Sequence, residues 1–335
     1  MSRGASKGDS NGSLSRKVQK LGASSLIVTL PRSWTKRHNV NVGDLVTIYD
    51  EGDRLVIAPS GEQPKDRLYA SLSKSSCMKH VGRLVLCSYI FGYDVVIGES
   101  NRIIKGEPLD RIARTSSYLH GAEIRLSNNN KMLEIIFTGR EDNVEELIQI
   151  FGKRISQIFG TMSRYLKGEA GDLDDIANEY TSIMRMNYRI LRSLNKMKPM
   201  DRKSEKRVKQ LYSAVSTLGM AADAAISLAS LLQKMSGELG SDERDRLAFL
   251  LELAEIATAT IVASLNPASV KKAEDAYWKI RNILDLEENS HELIAGVTPQ
   301  YAYILSRIIE IARLLEVAEN ILLCIALSEK HIRHG

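Results

Sequence analysis

The sequence predicts a multi-domain α+β protein: a short β unit at the start, a small α/β module, and an all-α remainder. Three observations predict it. Residues 16–59 read as β-branched runs separated by turns. Residues 122–126 and 132–137 alternate apolar and polar around Ser127, Asn128, Asn129 and Asn130, the pattern of a hairpin. From residue 140 onward, apolar residues recur three and four apart, and breakers cut the chain into six helical segments.

Residues 1–14 are rich in Ser and Gly and lack an apolar segment, so a disordered tail is expected rather than a signal peptide. Residues 15–60 form the first expected domain. Val18 and Leu21 open it, and the run at 26–30 is stopped by Pro31. A basic turn at 32–38 follows, then turn chemistry at Gly43 and Asp44. Strands containing Leu45, Val46, Ile48 and Tyr49, then Leu55, Val56 and Ile57, complete the unit. A β unit this small is marginal alone, and it contains no cysteine or evident metal site. A dimer that shares strands is the physical solution expected.

Charge points to a partner. Residues 1–40 hold eight basic residues and one acid, Asp9, a balance of +7 in a chain of net +5. Cations concentrated beside a near-neutral body suit a polyanion. Arg16, Lys17, Lys20, Arg32, Lys36 and Arg37 are the candidate DNA-binding residues. Trp34 stands among them and is read as a core anchor of the β unit.

This stretch resembles the SpoVT–AbrB family, which includes MazE-type antitoxins. The likeness rests on Arg16, Lys17 and Val18, then Leu21 and Gly22, the apolar run ending in Pro31, the basic turn, the Asn-Val-Gly-Asp turn at 41–44, and the final strand of 53–59. It implies a swapped-hairpin β-barrel dimer that binds DNA, with Arg16 and Lys36 where such proteins place DNA-contacting arginines. Ala23 and Thr29 stand where relatives often carry further arginines.

Residues 60–66 read as a linker, and 66–139 as the α/β module. Residues 67–74 suit a short strand or helix, 81–91 suit either, 95–97 suit a strand, and 103–119 suit a helix. No phosphate loop or catalytic constellation occurs in the module.

Residues 140–335 form the expected helical domain, with segments near 141–167, 172–197, 202–236, 241–265, 268–288 and 298–331. Asp172, Asp201, Ser241 and Thr298 are the expected N-caps. The third and sixth segments carry the clearest seams and align at a shift of about 97 residues, Leu211 with Ile308 and Leu218 with Leu315. That repeat predicts two three-helix bundles.

The helical part is similar to the PhoU family of phosphate-uptake regulators, on the stretch Arg313, Glu316, Glu319 and Asn320. In that family an arginine, a glutamate and an aspartate four residues further on share a helix face able to ligate metal. Here Asn320 replaces the aspartate beside Glu316, and Gly219 replaces the glutamate beside Asp223. Asp223 and Glu316 are thus the metal candidates, with exposed helix carboxylates as the simpler reading, and no cofactor is expected. An AbrB-like domain ahead of a PhoU-like one is an arrangement associated with archaeal regulators. It implies a transcriptional regulator of phosphate uptake. The alternative is an adaptor that inhibits a phosphate transporter ATPase or a sensor kinase by contact.

Other chemistry finds little support. Three scattered cysteines, Cys77, Cys87 and Cys324, form no disulfide framework or zinc site and suggest a reducing, cytoplasmic setting. No eighteen-residue apolar run is free of charge, so no membrane insertion is expected. His331 and His334 lie one turn apart at the end of the chain. No group of residues suggests an enzyme.

Overall fold

The computed structural model describes residues 15–22, 25–50, 55–59, 66–73, 78–139, 143–169, 171–199, 201–265, 268–288 and 297–330. The tail at 1–14, Ala23, residues 60–65 of the expected linker, Cys77, the Asn266-Pro267 break, and His331 and His334 lie outside them. The chain divides into two compact units, residues 1–64 and 65–335.

In the first unit, strands β1 (Gln19–Leu21) and β2 (Ser25–Ile27) pair antiparallel, with Lys20 opposite Leu26. Gly22 carries the chain out of β1 at φ +68°, a conformation that costs glycine little. Pro31 starts the short helix α1 (Arg32–Arg37), where its missing N–H is no loss. Asn39, left-handed at φ +52°, ends it. The turn beyond is tied by Asp44, which accepts from the Asn41 N–H at 2.7 Å. Strands β3 (Val46–Asp50) and β4 (Leu55–Pro59) form a second antiparallel pair, Ile48 opposite Ile57, in a sheet separate from the first.

The second unit opens with a four-stranded sheet. Its strands are β5 (Arg67–Ser71), β6 (Val95–Glu99), β7 (Ala122–Ser127) and β8 (Met132–Phe137), in the order β5-β6-β8-β7. β5 and β6 are parallel, joined through helix α2 (Val81–Ile90). Length and neighbours settle the ambiguous run at 81–91 as helix, because a parallel pair needs a crossover. Helix α3 (Glu107–Ser116) begins later than periodicity suggests, since Gly106 at φ +62° and Pro108 fix its start. The β7–β8 turn holds Asn128, Asn129 and Asn130 at φ 53°, 52° and 60°, left-handed positions that asparagine tolerates best among residues with a Cβ. Val81, Val85, Tyr89 and Ile112 from the helices pack with Val96, Leu133 and Ile135 from the sheet.

Among the described residues six long helices follow: α4 (Val144–Leu166), α5 (Leu173–Lys196), α6 (Arg202–Met235), α7 (Ser241–Ala263), α8 (Val270–Glu288) and α9 (Pro299–Lys330). Asp172 caps α5, and Asp201 with Ser204 forms a capping box on α6. The expected cap Ser241 is instead the first residue of α7. Gly240 is the cap, because Glu243 reaches back to its N–H at 2.9 Å. Glu243 also accepts from the Thr298 N–H at 2.8 Å, clipping the start of α9 to the start of α7.

α4 packs along α7 and α6 along α9, while α5 lies on α6, and α8 contacts both α7 and α9. The apolar seams merge into one core that runs through all six helices. α6 has the length and hydropathy of a membrane span, yet 61% of its apolar window is buried inside the unit. Leu211, Val215, Leu218, Ala222, Ala225 and Leu232 are among the buried residues of this helix.

Candidate nucleic-acid interface

The first unit sets its cations on exposed backbone. Arg16 and Lys17 lie in the extended segment before β1, and Lys20 lies within β1; all three are exposed. Arg32 and Lys36 are exposed, one turn apart on α1, and so share a helix face. Arg37 is the last residue of α1, and its side chain is outside the described set. Arg16 donates to the Ser15 carbonyl at 3.2 Å. Among the described residues none of Arg16, Lys17, Lys20, Arg32 or Lys36 forms an ion pair. Cations without intramolecular counter-charges keep their field for an external anion.

Trp34 is half-buried, stacked on His38 at 5.1 Å between ring centroids with a 44° tilt. It is therefore no core anchor within one chain. In fact no described side chain between residues 15 and 59 is buried. Leu26 is 71% exposed, Leu45 78% and Leu55 65%. Val18, Leu21, Val28 and Ile48 are exposed as well. Each such side chain stabilises by about 1.5–3 kcal/mol once buried, so the two hairpins leave a large driving force unused.

The metal candidates sit on the helices. Asp223 is an exposed residue of α6 whose charge acts on the Tyr180 hydroxyl of α5. Burial, followed by the Asp223 charge, pushes the Tyr180 hydroxyl up to about 12, and Tyr188 is raised by the same two causes. Tyr118 meets Tyr180 edge-to-face at 6.2 Å. Glu316, on α9, lies 4.0 Å from Arg281. Asn320 spends its side-chain N–H on the Glu316 backbone carbonyl at 2.9 Å. Among the described residues no group of three or more His, Cys, Asp or Glu converges. One carboxylate among tyrosines and another beside a guanidinium make a poor donor set for a divalent cation.

Two side chains outside the candidate set are more unusual. Glu319 is 1% exposed, with both carboxylate oxygens unpartnered among the described residues. Burial, then the charge of Glu316, pushes its carboxyl up to about 7. It lies four residues past Leu315 and three before Leu322, so the α9 seam itself marked it as inward-facing. Arg192 of α5 is buried too, and it donates to the Tyr89 and Tyr93 carbonyls at 2.9 and 2.8 Å. No sequence pattern distinguishes it from a solvated helix arginine.

The family model described as "Antidote-toxin recognition MazE, bacterial antitoxin" matches residues 19–65. That span holds Lys20, Arg32, Lys36 and Arg37 and ends one residue past the first compact unit. No curated protein and no solved structure matches the chain.

Proposed function

We propose that the chain is a DNA-binding transcriptional regulator, closed into a dimer through its first unit, with the helical unit receiving a signal. The observation that carries this is the first unit itself: two hairpins with no buried side chain among the described residues, next to five exposed cations with no ion partner among those residues. The MazE-type match over the same residues supports it. In this reading two copies interleave their hairpins into a swapped-hairpin barrel, burying Leu26, Leu45, Ile48 and Leu55. Arg16, Lys17, Lys20, Arg32, Lys36 and Arg37 then lie along DNA phosphates. Groove shape contributes to sequence choice as much as base contact does.

The assignment to phosphate uptake, within the cytoplasm and without enzymatic activity, rests on the PhoU resemblance of the helical repeat. Chromatin immunoprecipitation at high and low phosphate tests it: occupancy independent of phosphate would remove that assignment. DNA binding has its own test. Affinity should fall steeply with salt, because each neutralised phosphate releases counterions. Arg16→Ala combined with Lys36→Ala should lower the slope of log K against log salt by about 2 per protomer. An unchanged slope and affinity would mean that another surface is used.

A second reading, a contact inhibitor of a phosphate transporter ATPase or a sensor kinase, draws on the exposed Phe249, Ile256, Trp278 and Tyr303 of the helical unit. Retention of such an ATPase by the full chain, lost on Phe249→Asp with DNA binding intact, would favour it.

A further inference from the structure

A cavity of about 310 Å³ opens where the end of α3 meets α5, lined by Ser116, His120, Gly121, Glu123, Thr138 and Arg185 among others. Its lining residues all belong to the second unit and include neither Asp223 nor Glu316. Its donors are unspent. The Ser116 hydroxyl is nine-tenths buried and has no partner among the described residues. Arg185 gives Nε and Nη2 to the Ser117 carbonyl at 3.2 and 2.5 Å, leaving Nη1 without a hydrogen bond among the described residues. The successive N–H groups of His120 and Gly121 likewise make no hydrogen bond there, and Gly121 is left-handed at φ +69°. Successive free N–H groups at a left-handed turn form a concavity that accepts an anionic oxygen. Gly121 is obligatory, since a Cβ would meet the Thr138 carbonyl oxygen at 1.7 Å.

We infer that this cavity binds a small molecule through a single carboxylate. The orphaned Ser116 hydroxyl, Arg185 Nη1 and the two turn N–H groups would donate to its oxygens. Charge selects the class. One guanidinium faces the cavity, while the C-terminal end of α3 brings partial negative charge. The rim carboxylate of Glu123 is already paired with Arg125 at 3.2 Å. That balance suits a monoanion and disfavours a phosphate dianion. A ligand here bridges the α/β layer and the helices, because Arg185 belongs to α5 and the turn belongs to the layer. The inference stands whatever the first unit binds.

The test uses the full-length protein labelled with 15N-histidine, titrated with acetate, butyrate, phosphate or chloride at constant ionic strength. Acetate and butyrate should move the His120 amide resonance saturably, with chloride inert and phosphate weaker. Arg185→Gln should weaken carboxylate binding by roughly ten- to a hundredfold, the cost of a lost charged hydrogen bond. Ser116→Ala should weaken it several-fold without lowering the unfolding temperature of the free protein, so it decides the matter even if Arg185→Gln folds poorly. Overturning results are a non-saturating shift shared with chloride, tighter binding of phosphate than of acetate, or unchanged affinity in Ser116→Ala.

Discussion

Arg192 and Asp94 close an ion pair at the joint between the helices and the sheet, Nη2 to Oδ1 at 3.1 Å. The guanidinium also lies 4.9 Å from the Tyr89 ring centroid and 5.3 Å from that of Phe137. Lys196, one turn further along α5, reaches the same Asp94 oxygen at 2.6 Å. Burial lowers the Arg192 pKa, while Tyr89 and Asp94 raise it in opposition. A buried guanidinium with three oxygen partners and two rings fixes how α5 lies on the α/β layer.

Arg192→Ala should therefore destabilise the second unit by about 2–4 kcal/mol, since it takes a charged donor from the Tyr89 and Tyr93 carbonyls and leaves Asp94 ion-paired with Lys196 alone among the described residues. Asp94→Asn should cost less, because the carbonyl contacts survive. Urea unfolding of the two variants checks the order; a larger loss for Asp94→Asn would show that the carboxylate, not the guanidinium, organises the joint.

Glu319 gives a pH dependence of opposite sign to that of an ordinary paired carboxylate. Its folded pKa, about 7, lies above the ordinary glutamate value of 4.5, so the folded state holds the proton more tightly. Stability from this group is full below about 4.5 and is lost as pH rises through about 7. The loss is on the order of 3 kcal/mol at most. Glu319→Gln should flatten the stability profile between those limits. A wild-type profile that rises across that window, with the variant unchanged, would remove Glu319 as its source.

The helices were legible in the sequence because their ends carry chemistry. Asp172 and Asp201 sit as N-caps where periodicity and polarity coincide. The hairpin at 122–137 was legible for the same reason, through its three turn asparagines. The run at 81–91 was not, since eleven apolar-rich residues fit either period until the parallel β5–β6 pairing demands a crossover. The cationic candidates could be read from charge alone, but the half-burial of Trp34 could not. The cavity at Arg185 was hidden altogether, because α3, α5 and the turn before β7 meet there only in three dimensions.

Association through the first unit predicts that Leu26→Asp or Leu55→Asp gives a monomer by sedimentation. Each places a charge where about 1.5–3 kcal/mol of apolar burial is otherwise gained per copy. DNA affinity should fall with it, since a monomer presents half the cations. The second unit should keep its helical signal, as neither residue lies in it. A variant that still sediments as a dimer would place the contact elsewhere.

The α4–α7 contact is set by small residues. Gly152, Ser156 and Gly160 lie four apart on α4 and so stack on one face toward α7. A Cβ on Gly152 would meet Val262 Cγ2 at 2.1 Å, and one on Gly160 would meet Glu255 Oε1 at 2.5 Å. The two obstacles differ. Val262 is a buried, β-branched side chain with little freedom to turn aside, whereas Glu255 is a long side chain that can swing outward. Gly152→Ala should thus cost about 1–3 kcal/mol by overpacking, and Gly160→Ala should cost less. Val262→Ala in the Gly152→Ala background should recover part of the loss, a coupling visible in a double-mutant cycle. Equal costs for the two glycine variants, with no recovery, would mean that backbone shifts rather than Val262 absorb the added methyl.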